Sequence, residues 1–232
     1  KKNTFIIGKR YTFNPKDYMF KLDVLVHNNE SDGSLNFDNV AYTIRTSPQI
    51  GPHFNPKLNK YENRQFISFN GSKAKKLMIT ANKFEEYKKD YIWDGIAGKY
   101  FANLIIPENH TSMGYSYYSS KIEVNDYANA QALLVRKPIT EQDSKDTYYV
   151  YYGPRNEKEL KIYSVAESNP WNLSGLRLTE ALQSSGWLGW LETILKWIME
   201  LLYKLIPNWG VSIILMTVLL KLVMFPFTRK QS

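Results

Sequence analysis

Residues 20–26 read Phe20-Lys21-Leu22-Asp23-Val24-Leu25-Val26. Phe20, Leu22, Val24 and Val26 recur with a period of two and alternate with Lys21, Asp23 and Leu25. As a strand, the segment turns one apolar face to a core and a mostly polar face away from it. Outward from this stretch the same habit repeats, and strands are predicted over Arg64–Phe69, Lys76–Ala81, Tyr100–Ile106, Met113–Val124, Ala130–Lys137 and Tyr148–Tyr152. Turn formers punctuate them: Asn28-Asn29-Glu30-Ser31-Asp32-Gly33, Asn70-Gly71, Pro107-Glu108-Asn109 and Gly153-Pro154. Many short strands favour a mainly β domain, a sandwich of packed sheets, over a βαβ fold. This domain is predicted to span residues 1–167.

Composition narrows the chemistry. With no cysteine in 232 residues the chain has neither a disulfide framework nor a thiolate metal site. The formal charge is +8, yet lysines and acids are interleaved, and Lys73, Lys75 and Lys76 form only a short cluster. That is a solvated edge and not a nucleic-acid stripe. Lys1-Lys2-Asn3-Thr4 leads directly into an extended apolar segment without a signal-peptide pattern, so a membrane-targeting segment is expected upstream. Of the 17 tyrosines, Tyr115, Tyr117, Tyr118, Tyr148, Tyr149, Tyr151 and Tyr152 fall in predicted strands, where packing with surface hydroxyls is expected. After Gly153-Pro154 a helix is expected, capped by Asn156, with Glu157 and Glu159 in its first turn and Leu160, Tyr163 and Ala166 facing inward. Asn169-Pro170 breaks it, and residues 168–185 are expected to be a linker.

Residues 186–206 carry a different pattern. Glu192, Lys196, Glu200 and Lys204 stand four apart and drift along one helical face, with Thr193 among them. At about 100° per residue, Trp190, Leu191, Ile194, Leu195, Trp197, Ile198, Leu201, Leu202 and Leu205 fill an apolar arc wider than a soluble surface helix needs. Glu192 with Lys196, and Glu200 with Lys204, have the favoured order for pairing one turn apart. Four charges make a membrane crossing expensive. A helix lying in the membrane interface satisfies both faces, with Trp187, Trp190, Trp197 and Trp209 as interface residues. Packing on a soluble core is the competing reading.

Pro207 ends that helix, and residues 208–228 form the next, nearly all apolar from Val211 to Phe227 except for Lys221. Trp209 through Phe227 meets the roughly 20 residues needed to span a hydrocarbon core of about 30 Å. Lys221 stands about 18 Å beyond Trp209 along such a helix. A charge at that depth costs about 2.5 kcal/mol or more. Either its stem snorkels to the nearer interface or it faces a hydrated groove inside a helical bundle. Arg229 and Lys230 follow the span, so the basic bias places the carboxyl end in the cytoplasm and residues 1–206 outside it.

Asn208-Trp209-Gly210-Val211-Ser212-Ile213-Ile214, then Lys221, then Phe225-Pro226-Phe227-Thr228-Arg229-Lys230 resemble the start of the conserved membrane core of the YidC/Oxa/Alb insertases. Tyr100-Phe101-Ala102-Asn103-Leu104-Ile105-Ile106-Pro107 and Tyr152-Gly153-Pro154 look like landmarks of the large periplasmic domain of Gram-negative members. The resemblance implies a periplasmic β-supersandwich, then an amphipathic interfacial helix and the first helix of a five-helix core in the cell inner membrane. It implies that Lys221 occupies the place of a groove arginine. Lysine keeps the charge but lacks the planar fork that grips a carboxylate. No cofactor and no enzymatic activity are implied. The implied partners are nascent membrane proteins and the lipid bilayer, with the Sec translocon and ribosome as further candidates.

A rival reading makes the β domain a membrane-anchored carbohydrate-binding or glycosidase module, and a third makes it an envelope scaffold. His27, His53 and His110 show no metal-ligand spacing. Asp90, Asp94 and Glu123 are acids whose separation sequence does not give. No phosphate-binding glycine loop or nucleophile elbow is present.

Overall fold

The computed structural model describes residues 5–29, 33–46, 50, 64–78, 83–87, 91–109, 113–122, 127–182 and 189–228. The chain divides into two units, residues 1–182 and 183–232. The first holds eleven strands among the described residues: β1 (Phe5–Phe13), β2 (Met19–Asn28), β3 (Tyr42–Arg45), β4 (Gln65–Phe69), β5 (Ala74–Met78), β6 (Lys83–Tyr87), β7 (Trp93–Ala97), β8 (Phe101–Pro107), β9 (Met113–Ile122), β10 (Tyr127–Arg136) and β11 (Asp143–Pro154). They form a seven-stranded sheet, β1-β2-β11-β8-β7-β4-β5, and a four-stranded sheet, β3-β10-β9-β6. Neighbouring strands pair antiparallel throughout. The mainly β, sandwich-like expectation therefore holds.

The period-two alternation explains how the large sheet packs. Leu22, Val24 and Val26 of β2 share one face with Ile105 of β8 and with Tyr148 and Val150 of β11, and this face buries against Leu134 of β10. Each fully buried side chain of this size is worth about 1.5–3 kcal/mol. Asp23, expected on a polar outer face, is instead fully buried. Burial alone would raise its carboxyl, but hydrogen bonds from Arg10 (2.7 and 3.0 Å) and Thr147 (2.9 Å), with Lys21 and Lys145 nearby, hold it below the usual range. The tyrosine hydroxyls also depart from the expectation. Tyr148 meets Tyr42 at 2.8 Å inside the sandwich, and Tyr151 donates to the Pro154 carbonyl at 2.6 Å.

The opposite face of the large sheet is covered by residues 155–182. Helix α1 (Glu157–Lys161) is capped as expected, with Glu159 N–H donating to Asn156 Oδ1 at 2.9 Å. Leu160 and Tyr163 are buried beneath it. Where the sequence suggests a linker from 168, the chain runs on as a packed strap to Leu182. Leu176, Leu178 and Ala181 join Phe69, Trp93 and Leu104 in one core. The reason is polar satisfaction as well as apolar contact. Asn169 donates to the carbonyls of Val165 and Leu173 and accepts from Leu173 N–H, Trp93 donates to Leu176 O at 2.8 Å, and Arg155 donates to Ala181 O and Gly98 O. Burial draws the Arg155 guanidinium down to about 10, still charged at neutral pH.

Two polar atoms stand out between the sheets. Asp94 Oδ1 accepts from Gly95 N–H at 2.8 Å, but Asp94 Oδ2 and Asn103 Oδ1 are buried without a partner among the described residues. Burial pushes the Asp94 carboxyl well above the usual range. Gly95 allows this crowding, because a Cβ there would lie 2.1 Å from Asn103 O and 2.8 Å from Leu104 Cα.

Candidate membrane-interaction site

In the second unit, α2 (Gly189–Leu205) and α3 (Trp209–Thr228) pack as a hairpin. Leucine, isoleucine and glutamate favour α2, and Pro207 cannot extend it. Asn208 then caps α3, its Oδ1 accepting from Gly210 N–H at 2.9 Å and Val211 N–H at 3.3 Å. Across the turn the rings of Tyr203 and Trp209 stack with centroids 4.1 Å apart. Turn chemistry and aromatic contact together fix where one helix stops and the other starts.

The apolar arc expected on α2 divides into two. Trp190, Ile194, Trp197, Leu201 and Leu205 are exposed and recur every three or four residues, which makes one continuous stripe. Leu191, Leu195, Ile198 and Leu202 are half-buried on the adjoining arc. Lys196, Glu200 and Lys204 border the stripe on its other side, all exposed. The expected Glu200–Lys204 ion pair is not formed among the described residues, and the Glu192 side chain lies outside them. Trp190 is 61% exposed, Trp197 63% and Trp209 54%. Trp187 falls outside the described residues.

On α3, Ser212 and Met216 are buried and Leu219 is half-buried, a stripe with helical spacing. Lys221 is exposed and stands about 180° around the helix from that stripe. Thr217, one turn earlier on the same face, is exposed too, and its hydroxyl returns to Ile213 O at 2.8 Å. Sequence reading passed over Thr217; its signal is the four-residue spacing to Lys221. Ile213, Ile214, Val218 and Leu222 of α3 are exposed and apolar. Among the described residues no helix is both long and apolar enough to cross a membrane.

Of the acids weighed as a glycosidase pair, only Asp94 is among the described residues. Asp94 is buried between the sheets, while Asp90 and Glu123 lie outside the described residues, as do His53 and His110. His27 meets Asp143 at 2.7 Å on the surface. Among the described residues no three histidine, aspartate or glutamate side chains could hold a metal ion.

An antiparallel sandwich with a strapped outer face, followed by a helical hairpin with exposed apolar stripes, is the class of architecture these features define. Residues 1–201 match the family model described as the YidC periplasmic domain. The chain is similar to proteins named membrane protein insertase YidC from Treponema denticola (39% identical over 98% of this chain) and Treponema pallidum (33% over 97%). A third, from Citrifermentans bemidjiense, is 30% identical over 96% of the chain. The chain belongs to the YidC family. It spans about two-fifths of the length of these relatives, with 39%, 41% and 38% of each covered.

Proposed function

We propose that this chain is the periplasmic and membrane-entry portion of an insertase that places and helps fold proteins in the cell inner membrane. The observation that carries the reading is the hairpin, whose two helices expose apolar side chains interrupted on α3 by a single cation. In this reading residues 1–206 are periplasmic, α2 lies in the interface with its tryptophan stripe in the acyl boundary, and residues 208–228 cross the bilayer. Arg229 and Lys230 hold the carboxyl end in the cytoplasm. Lys221 and Thr217, opposite the packed stripe of α3, line a hydrated groove completed by helices of the longer protein.

The mechanism is physical. A cation in a wet groove lowers the cost of bringing an acidic extracytoplasmic tail partway across, after which the client's own apolar helix partitions into lipid. No covalent step is required. Clients are nascent membrane proteins, delivered by a ribosome or beside a Sec translocon. In the full-length protein, Lys221→Ala is expected to lower insertion of acidic-tailed clients several-fold, and Lys221→Glu more so, in cells depleted of their own insertase. Unchanged insertion by both variants would contradict the groove.

A further inference from the structure

The two sheets differ in width, and the mismatch leaves a cleft. The seven-stranded sheet ends in β1, while the four-stranded sheet opposite it ends in β3. A cleft of about 510 Å³ opens between them, lined by Ile7, Lys9 and Tyr11 of β1, Phe20 of β2, Asn103 of β8 and all four residues of β3. Ile7 is 39% exposed and Tyr11 50%, so the inward face of β1 lacks the cover that β3 and β10 give to β2. Tyr11, Phe13 and Phe20 make ring contacts with one another at the open end, with centroids 5.2 to 6.4 Å apart.

The rim opposite β1 is a strand edge. Thr46 N–H donates to Ala132 O at 3.0 Å, continuing the register in which Ile44 pairs Leu134 and Tyr42 pairs Arg136. By the alternation of an antiparallel ladder, the peptide groups of Tyr42 and Ile44 turn toward β10 and those of Thr43 and Arg45 turn to the open side. Neither Thr43 nor Arg45 has a backbone partner on that side among the described residues. An unpaired edge of this kind is a template for another strand.

We propose that this cleft binds an extended peptide segment, which adds as a fifth strand on β3 and covers the exposed face of β1. Three observations define its chemistry. Alternate apolar side chains would bury against Ile7, Tyr11 and Phe20. Asn103, 5% exposed, lines the cleft, and its Oδ1 has no partner among the described residues, an acceptor left unsatisfied until an N–H or O–H reaches it. Lys9 shares the inward face of β1 and Arg45 lines the rim, and neither forms an ion pair among the described residues, whereas Arg10 is held by Asp23. The segment therefore carries an acidic side chain between its apolar ones. A peptide fits better than a sugar, because the free rim supplies backbone groups in strand spacing and the floor supplies one fixed polar side chain. The inference is independent of the membrane reading of α2 and α3.

The probe is a fluorescein-labelled seven-residue peptide alternating valine and threonine around one central glutamate, titrated by anisotropy against the full chain in detergent micelles. Saturable binding is expected, weakened at least tenfold by Lys9→Glu, by Thr43→Pro and by N-methylation of alternate peptide nitrogens. Lys9 is exposed and the Thr43 N–H makes no ladder bond, so both variants keep the fold, which their thermal melts check. Absence of saturable binding, equal affinity in both variants, displacement of the peptide by a chito-oligosaccharide, or self-association of the chain through β3 in place of peptide binding would each overturn the proposal.

Discussion

Asp94 and Asp23 are both buried carboxyls, and their surroundings drive them in opposite directions. Asp94 has one backbone donor and no cation, so desolvation dominates and its carboxyl is held well above the usual range. Its folded form keeps a proton that the unfolded chain has lost, so stability falls as pH rises from about 4 through the raised value. Asp94→Asn is expected to remove this decline and raise the melting temperature at neutral pH relative to the parent, with little change near pH 4. For Asp23, the cations and Thr147 outweigh desolvation. Its contribution is present above the unfolded value near 4 and is lost as pH falls through the depressed one. Asp23→Ala leaves Thr147 and Arg10 without their acceptor, and a loss of about 3 kcal/mol is expected in denaturant melts near neutral pH. Neither carboxyl could be assigned from sequence, because Asp23 occupies a position that period two marks as outward, and Asp94 sits in a strand with no alternation.

Elements with a clear period or an unbroken apolar run between turn formers were readable, and the others were not. The strand β2 announces itself through alternation, whereas β8, buried on both faces, reads as a continuous apolar run bounded by turn formers. The strand β7, Trp93-Asp94-Gly95-Ile96-Ala97, is buried on both faces, so it has no polar face to alternate with. The four-residue β3 is too short for a period to register. The strap was hidden for another reason. Its serines, asparagines and proline have linker composition, but Asn169 spends its side chain on strap carbonyls and the intervening leucines reach the core. Gly95 is equally decisive and equally silent in sequence. Gly95→Ala would push a Cβ into the β8 backbone, and destabilisation of about 3 kcal/mol is expected in chemical denaturation. For α2 the apolar arc was legible, but its division into a packed and an exposed part needed the hairpin. Replacing Trp190 and Trp197 together by alanine is expected to reduce adsorption of the chain to anionic vesicles at least tenfold in flotation, and unchanged adsorption would argue against an interfacial helix.

At the scale of the molecule, the chain joins an antiparallel sandwich to a hairpin whose exposed side chains are mostly apolar. That division follows from pattern alone: period two with turns up to residue 154, period 3.6 with tryptophan and leucine from 189. The family follows from the match along the chain, and the membrane topology with its groove is the claim that goes furthest beyond it. These 232 residues hold no cysteine, and any in the rest of the full-length protein would first be replaced by serine. In the full-length protein in intact inner-membrane vesicles, single Lys221→Cys, Leu219→Cys and Val165→Cys variants would be exposed to a membrane-impermeant maleimide from each side. The reading expects Val165→Cys to react only from the periplasmic side, Lys221→Cys only from the cytoplasmic side through the groove, and Leu219→Cys from neither. A Lys221→Cys that reacts from the periplasmic side, or from neither side while Val165→Cys reacts, would contradict it.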